Sequence, residues 1–213
     1  MSVRSLGVRS LGVPSGARTA GVVPGGGVAI RTVETPIGPL MLVAGSNGLR
    51  AVLWPGEDGS RVPGSAAWLA RPETSAALGH APVDARGSDA AGPDAATAHL
   101  DSAQAQLEEY FAGTRREFDL VLDPGGTAFQ RSAWEVLRTI PFGSTMSYRD
   151  QAAALGDAAK ARAVGAANGR NPISVVVACH RVVAASGALT GFAGGLDTKA
   201  WLLAHERRCL ELS

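Results

Sequence analysis

Residues 147–183 read SYRDQAAALGDAAKARAVGAANGRNPISVVVACHRVV, and they combine two helix patterns with a thiol that has a histidine beside it. The pattern Ser147-x-x-Asp150 resembles a capping box and predicts a helix that ends at Gly156. A second capped helix is predicted over 158–167. Two short helices joined by a glycine-containing turn predict a helix-turn-helix, although an ordinary helical hairpin is at least as common for such a pattern alone.

A run of three valines leads from this motif into Cys179, His180 and Arg181, and it predicts a buried strand or loop. A thiol is a weak nucleophile until it is ionised, and a neighbouring imidazole can take its proton directly or through a water. Because adjacent residues of an extended chain point to opposite sides, this contact requires a turn at Cys179. A buried structural cysteine is the more common outcome for such a pair alone.

The remaining elements are predicted from turn signals and periodicity. Short strands joined by tight turns are predicted over 29–54, where Asn47-Gly48 is the strongest hairpin signal. Apolar residues at helical spacing predict further helices, and one more apolar run predicts a strand. These helices cover residues 97–112, 129–140 and 197–207, and the strand covers 118–122.

The predicted fold class is α+β, in which a small N-terminal domain of sheet and helix precedes a helical domain with the helix-turn-helix and the cysteine turn. We expect the first domain over residues 29–123 and the second over 124–213. Residues 55–96 are rich in Gly, Pro, Ala and Asp, which predicts an insertion. Residues 1–28 contain the repeat Arg-Ser-Leu-Gly-Val twice and predict a disordered extension.

Composition excludes several classes of protein. Hydrophobic residues make up 46% of the 213 residues, and no apolar run reaches the roughly 18 residues that a membrane span needs. Two cysteines, neither in a C-x-x-C pair, argue against a disulfide-rich secreted scaffold and against a metal site, and they favour a cytoplasmic protein with reduced thiols. The net charge of +1, taken over the whole chain, argues against a nucleic-acid partner. The charge is unevenly distributed, however, because residues 129–213 alone carry ten basic and six acidic side chains.

Nine motifs follow one another along the chain. They are Thr35-Pro-Ile-Gly-Pro-Leu, Leu107-Glu-Glu-Tyr-Phe-Ala-Gly, Thr127-Ala-Phe-Gln, Ile140-Pro-Phe-Gly-Ser-Thr-Met-Ser-Tyr, Ala161-Arg-Ala-Val-Gly, Gly169-Arg-Asn-Pro, Cys179-His-Arg-Val-Val, Gly194-Gly-Leu and Trp201-Leu-Leu-Ala-His-Glu. In this order they resemble the O6-alkylguanine-DNA alkyltransferases, also called methylated-DNA–protein-cysteine methyltransferases. The resemblance covers residues 29–208, is densest over 100–208, and implies that 124–213 form a DNA-binding, alkyl-acceptor domain.

The resemblance assigns catalytic roles to five residues. Cys179 corresponds to the alkyl acceptor, His180 to the base that takes the thiol proton through a water, and Glu206 to the carboxylate that orients this histidine. Asn171 matches the hinge asparagine that braces the turn carrying the cysteine. Tyr148 matches the tyrosine that crowds a phosphate as the nucleotide rotates and gives a proton to guanine N3.

The resemblance also implies residues that contact DNA and the substrate. Arg162 matches the arginine finger, whose planar and permanently charged guanidinium can fill the gap that a flipped base leaves. The further DNA contacts are assigned to Tyr148, Arg181, Ser147 and Ala161, and the substrate pocket to Val182, Phe192, Ala193 and Gly194. The chain departs from the family at Ala178 and Ser174, where prolines are found, and at Phe192, where a tyrosine is usual. The missing tyrosine hydroxyl puts the substrate range in question, whereas the transfer itself does not depend on it.

The implied function is irreversible repair of O6-alkylguanine, and secondarily of O4-alkylthymine, in double-stranded DNA. The resemblance implies a monomer that approaches the minor groove, flips the damaged base and uses neither cofactor nor metal. Two alternatives come from other classes of protein. A Cys-His hydrolase would require an oxyanion hole and would turn over, and a non-catalytic protein that binds alkylated DNA would keep its mass.

Overall fold

The structure is a computed structural model, and it describes residues 28–57, 59–62 and 95–212. Residues 1–27 of the predicted extension, and most of the predicted insertion over 55–96, lie outside the described residues. Within the described part, no helix is both long enough and apolar enough to cross a membrane.

An antiparallel sheet of three strands opens the described chain, with the strands side by side in sequence order. The strands are β1 (Val28–Val33), β2 (Leu40–Gly45) and β3 (Gly48–Leu53). The hairpin predicted at Asn47-Gly48 is confirmed, since Gly45 pairs with Gly48 across it. A glycine is needed at position 48, where φ is 146° and a Cβ would lie 2.6 Å from the Val121 carbonyl oxygen.

Helix α1 (Ala95–Phe111) packs against this sheet. Its buried residues include Leu100, Ala103, Leu107 and Tyr110, which recur at helical spacing and confirm the helix predicted over 97–112. The strand predicted over 118–122 is wrong, because this segment forms only a single bridge, between Leu49 and Leu122. Leu49 N donates to the Val121 carbonyl and Asp123 N donates to the Leu49 carbonyl, both at 2.8 Å, and these two bonds make up the bridge.

The second half of the described chain is mostly helical. Its helices are α2 (Ala128–Arg138), α3 (Tyr148–Ala154), α4 (Ala161–Gly169) and α5 (Gly195–Glu211). A short parallel pair, β4 (Met146–Ser147) and β5 (Val182–Val183), joins the start of α3 to the cysteine turn. The sheet followed by helices confirms the predicted α+β class, whereas the domain boundary at residue 124 stays a prediction.

Helices α3 and α4 are the two helices of the predicted helix-turn-helix, and both pack against α2. The Ser147 hydroxyl accepts from Asp150 N at 3.1 Å, and the Asp150 carboxylate accepts from that hydroxyl at 2.7 Å, so the cap closes on itself. The second helix is split into a 3₁₀ turn (Ala158–Lys160) and α4. Asp157 caps the 3₁₀ turn by accepting from Ala159 N at 3.0 Å.

Candidate active site

The cysteine turn is a 3₁₀ turn (Cys179–Arg181) in which all three side chains are buried. This confirms the turn predicted at Cys179. The run of valines before it is a loop, and Val175 has a φ of 71°, which a β-branched residue rarely adopts. Such strain persists only where the surroundings fix the backbone.

The buried side-chain amide of Asn171 holds this loop through hydrogen bonds of both its nitrogen and its oxygen. Its Nδ2 donates to the Val177 carbonyl at 2.8 Å, and its Oδ1 accepts from Ile173 N at 3.1 Å. The Asn171 backbone carbonyl accepts a hydrogen bond from Arg61, whose guanidinium also donates to the Val52 carbonyl at 2.9 Å. Two segments that are distant in sequence therefore meet at the hinge, and Arg61 is a site residue that sequence reasoning missed.

His180 and Glu206 form a fully buried pair, with Nε2 and Oε1 2.8 Å apart. Glu206 also accepts from the Tyr110 hydroxyl at 2.9 Å and from Gly143 N at 2.8 Å. Burial alone would raise the pKa of Glu206, but its hydrogen bonds with His180 and Arg181 and the positive charge of Arg181 lower it to about 2. Because an ionised carboxylate only accepts, His180 Nε2 carries the proton of this pair. His180 Nδ1 is then an acceptor, and it is buried without a hydrogen-bond partner among the described residues.

Arg181 lies inside the protein and not on a DNA-facing surface. Its Nε and Nη2 donate to Glu206 at 3.0 and 2.9 Å, and its Nη1 donates to the Ile140 carbonyl at 2.7 Å. Each guanidinium nitrogen is thus engaged within the protein, and the residue is only 7% exposed. This placement is at odds with the predicted DNA contact of Arg181, because its guanidinium is buried and already bonds to Glu206 and the Ile140 carbonyl. Its observed role is to hold and neutralise Glu206.

The surroundings keep His180 neutral. Burial lowers the pKa of His180, and the charges of Arg181 and Lys199 lower it further, whereas the hydrogen bond and charge of Glu206 raise it. The net direction is downward, so the imidazole is unprotonated at neutral pH and its Nδ1 can accept a proton.

The Cys179 thiol is protonated at neutral pH. Burial raises its pKa, and the side chain of Asn171 and the charges of Arg61 and Lys199 lower it only in part. The thiol therefore needs a base before it can act as a nucleophile. His180 offers such a base, because its neutral ring has an acceptor nitrogen, Nδ1, without a partner among the described residues.

Lys199 is a second site residue that sequence reasoning missed. It is fully buried, and its Nζ donates to the carbonyls of Val182 and Thr190 at 2.6 and 2.7 Å. A signal was present, because Lys199, Leu202 and Glu206 are spaced by three and seven residues and share one face of α5. A lysine on the apolar face of a helix is a charge that must find partners inside the protein.

A pocket of about 310 Å³ opens over Cys179. Its lining includes Tyr148, Asn171, Ser174, Cys179, Phe192 and Ala193. Phe192 and Ala193 thus line the pocket as predicted, whereas Val182 and Gly194 do not. Val182 is fully buried in β5, and a Cβ on Gly194 would lie 2.7 Å from the Trp54 ring.

Residues of the helix-turn-helix line part of the pocket, namely Tyr148 of α3 and Gly165, Asn168 and Gly169 of α4. Tyr148 is the first residue of α3, and its hydroxyl donates to the Thr190 carbonyl at 3.2 Å. Arg162 is exposed near the start of α4, and Ala161 beside it is partly exposed. Ser147 was also predicted to contact DNA, but its hydroxyl is engaged in the cap of α3. Among the described residues, no three His, Cys, Asp or Glu side chains cluster as metal ligands would.

Sequence comparison relates the chain to known proteins. The profile of a family described as "6-O-methylguanine DNA methyltransferase, DNA binding domain" matches residues 128–208. A methylated-DNA–protein-cysteine methyltransferase of Methanosarcina acetivorans is 40% identical over 177 residues, which are 83% of this chain and 96% of that protein. A second methylated-DNA–protein-cysteine methyltransferase, from Mycolicibacterium paratuberculosis, is 58% identical over 103 residues, which are 48% of this chain. This match spans only 62% of that relative's own length.

Solved structures give the same relationship. The structure of Mycobacterium tuberculosis OGT in complex with DNA has a TM-score of 0.64 and 38% identity over 84% of this chain and 93% of that one. A structure of the M. tuberculosis O6-methylguanine methyltransferase has a TM-score of 0.62 and 37% identity over 87% of this chain and 98% of that one. Since the Methanosarcina relative is matched over nearly its whole length, the chain belongs to the methylated-DNA–protein-cysteine methyltransferase family.

Proposed function

We propose that this protein repairs alkylated DNA by moving an alkyl group from O6 of guanine to the sulfur of Cys179. The observation that carries the proposal is a buried thiol that lines a pocket together with residues of a helix-turn-helix, and that shares its turn with the histidine of a buried His–Glu pair. The names of the relatives support a methylated-DNA substrate, and the M. tuberculosis structure in complex with DNA supports DNA as the partner. The protein is a single-turnover methylated-DNA–[protein]-cysteine S-methyltransferase.

Activation of the thiol begins with its proton. His180 Nδ1 takes the Cys179 proton through a water, because the neutral ring has its acceptor nitrogen unpartnered and its Nε2–H held by Glu206. The imidazolium that forms faces an ionised carboxylate, which stabilises it. The positive charges of Lys199 and Arg61 favour the thiolate. Asn171 is a positioning residue for the turn that carries the sulfur.

The transfer is a displacement at the alkyl carbon. A bond forms between Cys179 Sγ and that carbon while the bond from carbon to O6 breaks, and the electron pair of the broken bond stays on the guanine. Tyr148, whose hydroxyl is oriented by the Thr190 carbonyl at the pocket, gives a proton to guanine N3. The product thioether has no nucleophilic thiolate left, so each protein molecule reacts once.

The substrate reaches the pocket as a flipped nucleotide in double-stranded DNA. An alkyl group on O6 is hidden inside the duplex, and extruding its nucleotide costs a few kcal/mol. Arg162 has no hydrogen-bond or ion-pair partner among the described residues, so its guanidinium is available to fill the gap in the stack. Ala163 and Ala166 are exposed small residues on the same helix, and they allow α4 to approach the minor groove closely.

The remaining parts of the proposal concern substrate range, assembly and location. O4-alkylthymine, which also presents an alkylated exocyclic oxygen, is a second substrate. One chain supplies the acceptor, the base, the tyrosine and the arginine, and the protein acts as a monomer. Its reaction consumes a reduced thiol, which supports a location in the reducing cytoplasm.

Mass spectrometry of the protein after incubation with a duplex containing one O6-methylguanine tests the proposal. The expected result is one added methyl group on the peptide containing Cys179, none on the peptide containing Cys209, and restored guanine in the DNA. Cys179→Ala should abolish transfer, whereas the matched Cys209→Ala variant should react at the wild-type rate. Repaired DNA with an unmodified Cys179 would overturn the mechanism. Repeated turnover on an ester would support a hydrolase, and bound, unrepaired DNA a non-catalytic binder.

A further inference from the structure

The wall loop (residues 190–195) rests directly on a tryptophan from the N-terminal half of the chain. Trp54 follows β3 and is only 4% exposed. Its ring centroid lies 5.5 Å from that of Phe192, at an interplanar angle of 66°. A Cβ on Gly194 would approach three atoms of the Trp54 ring to between 2.7 and 2.9 Å. Gly194 is therefore a glycine because the indole already fills the space of a side chain.

Phe192 separates Trp54 from the reacting residues. Phe192 lines the pocket together with Cys179, and its ring centroid lies 6.4 Å from that of His180. Trp54 does not line the pocket. The indole thus contacts Phe192 without itself belonging to the lining of the pocket.

The backbone of Trp54 is anchored by Glu57, whereas most of the wall loop is exposed. The backbone N–H of Trp54 donates to Glu57 Oε2 at 2.8 Å, and Glu57 forms an ion pair with Arg61 at 2.5 Å. The wall loop contains three glycines, and Thr190, Gly191, Ala193 and Gly195 in it are exposed. When one side of such a contact changes in size, the loop is the part that moves.

We propose that Trp54 is a specificity-determining residue that acts through Phe192. The indole fixes how far Phe192 stands from Cys179, and this distance limits the size of the alkyl group that the pocket accepts. The inference rests on the proposed transfer to Cys179. Its physical basis is that close-packed interiors leave few voids, so a smaller residue at position 54 lets the wall retreat.

Single-turnover rates with duplexes carrying O6-methylguanine or O6-benzylguanine test this inference. Trp54→Leu should raise the ratio of the benzyl rate to the methyl rate by on the order of tenfold. Gly194→Ala should lower the ratio, since its added Cβ pushes the wall loop away from Trp54 and into the pocket. In the double variant, which combines Trp54→Leu with Gly194→Ala, the smaller residue at position 54 makes room for the added Cβ. The ratio of the benzyl rate to the methyl rate should then return toward the wild-type value.

Trp201→Leu is the matched control, because it removes a partly buried tryptophan from α5 and should leave the ratio unchanged. Thermal melting of each variant verifies that it is folded. Equal losses of both rates in Trp54→Leu, or a Gly194→Ala effect that Trp54→Leu does not relieve, would overturn the inference. If Cys179 of the wild-type protein receives no methyl group from the duplex, the proposed function fails. This outcome is distinct from a failure of the inference on Trp54.

Discussion

The Tyr110 hydroxyl donates a 2.9 Å hydrogen bond to Glu206 Oε1, across 96 positions of the chain. Burial raises the pKa of Tyr110 well above 10, and so do the charge and the hydrogen bond of Glu206, which keeps the hydroxyl protonated. A helix that packs on the sheet thus contributes a donor to the carboxylate that orients His180. The reaction centre depends on both halves of the chain.

Tyr110→Phe should destabilise the protein while leaving the transfer chemistry intact. The change removes one hydrogen bond to a buried carboxylate, and such bonds contribute about 1.5–3 kcal/mol to the free energy of unfolding. Urea denaturation at pH 7 measures this loss. Thr114→Val removes an exposed hydroxyl bond to the Glu109 carbonyl and should change stability by less than about 0.5 kcal/mol. Equal stabilities of the Tyr110→Phe and wild-type proteins would contradict the role assigned to this bond.

Acid should destabilise the protein through Glu206. Its pKa falls from an ordinary value of 4.5 to about 2 on folding, so its contribution is complete above pH 4.5 and is lost as the pH falls toward 2. The loss over this window should be roughly 3 kcal/mol, measured by urea denaturation at successive pH values.

Glu206→Gln tests the origin of this dependence. It removes one partner of a buried ion pair and should cost about 3–5 kcal/mol at pH 7, with a smaller slope of stability against pH between 4.5 and 2. The exposed Glu117→Gln should keep the wild-type slope. A Glu206→Gln protein with the full acid dependence would show that another group is responsible.

Lys199→Met should slow the transfer by raising the pKa of Cys179 further. Its positive charge is among the influences that lower this pKa, so the pH–rate profile should move to higher pH, and the rate at pH 7 should fall on the order of tenfold. Lys160 is the only other lysine of the chain, and it is exposed on the helix-turn-helix. With free O6-benzylguanine as substrate, Lys160→Met should match the wild type. An unshifted profile in Lys199→Met would exclude an electrostatic role.

Arg162→Ala should impair repair of duplex DNA specifically. Without a side chain to fill the stack, the cost of extruding the nucleotide is not offset, and transfer from the duplex should slow by roughly 10- to 100-fold. Transfer from the free base needs no extrusion and should be unchanged. Arg170→Ala, at the other end of α4, removes the same charge and should mainly weaken the salt dependence of DNA binding. Equal slowing of Arg162→Ala on both substrates would contradict the proposed role.

Elements with local signals were predictable from the sequence. The Asn47-Gly48 hairpin and the Ser147 cap depend on neighbouring residues, and both form as expected. The strand over 118–122 failed because hydrophobic alternation says nothing about how many ladder bonds a partner strand offers.

Residues whose roles depend on distant partners were not predictable in the same way. The resemblance assigned Arg181 to DNA, yet its partner Glu206 lies 25 positions away in the chain. Arg61 and Trp54 belong to the other half and carry no chemical motif. Their contacts with Asn171 and Gly194 exist only once the chain has folded.

The position of Trp54 against Gly194 constrains how these proteins can be recombined. A chimera that joins the N-terminal half of this chain to the acceptor half of another family member would have to match the indole to a glycine, Arg61 to the hinge carbonyl and Tyr110 to the carboxylate. Exchange of either half alone would break these matches even where every reacting residue is retained. The two halves of the chain are therefore expected to diverge as a linked pair, with compensating changes on both sides of the junction.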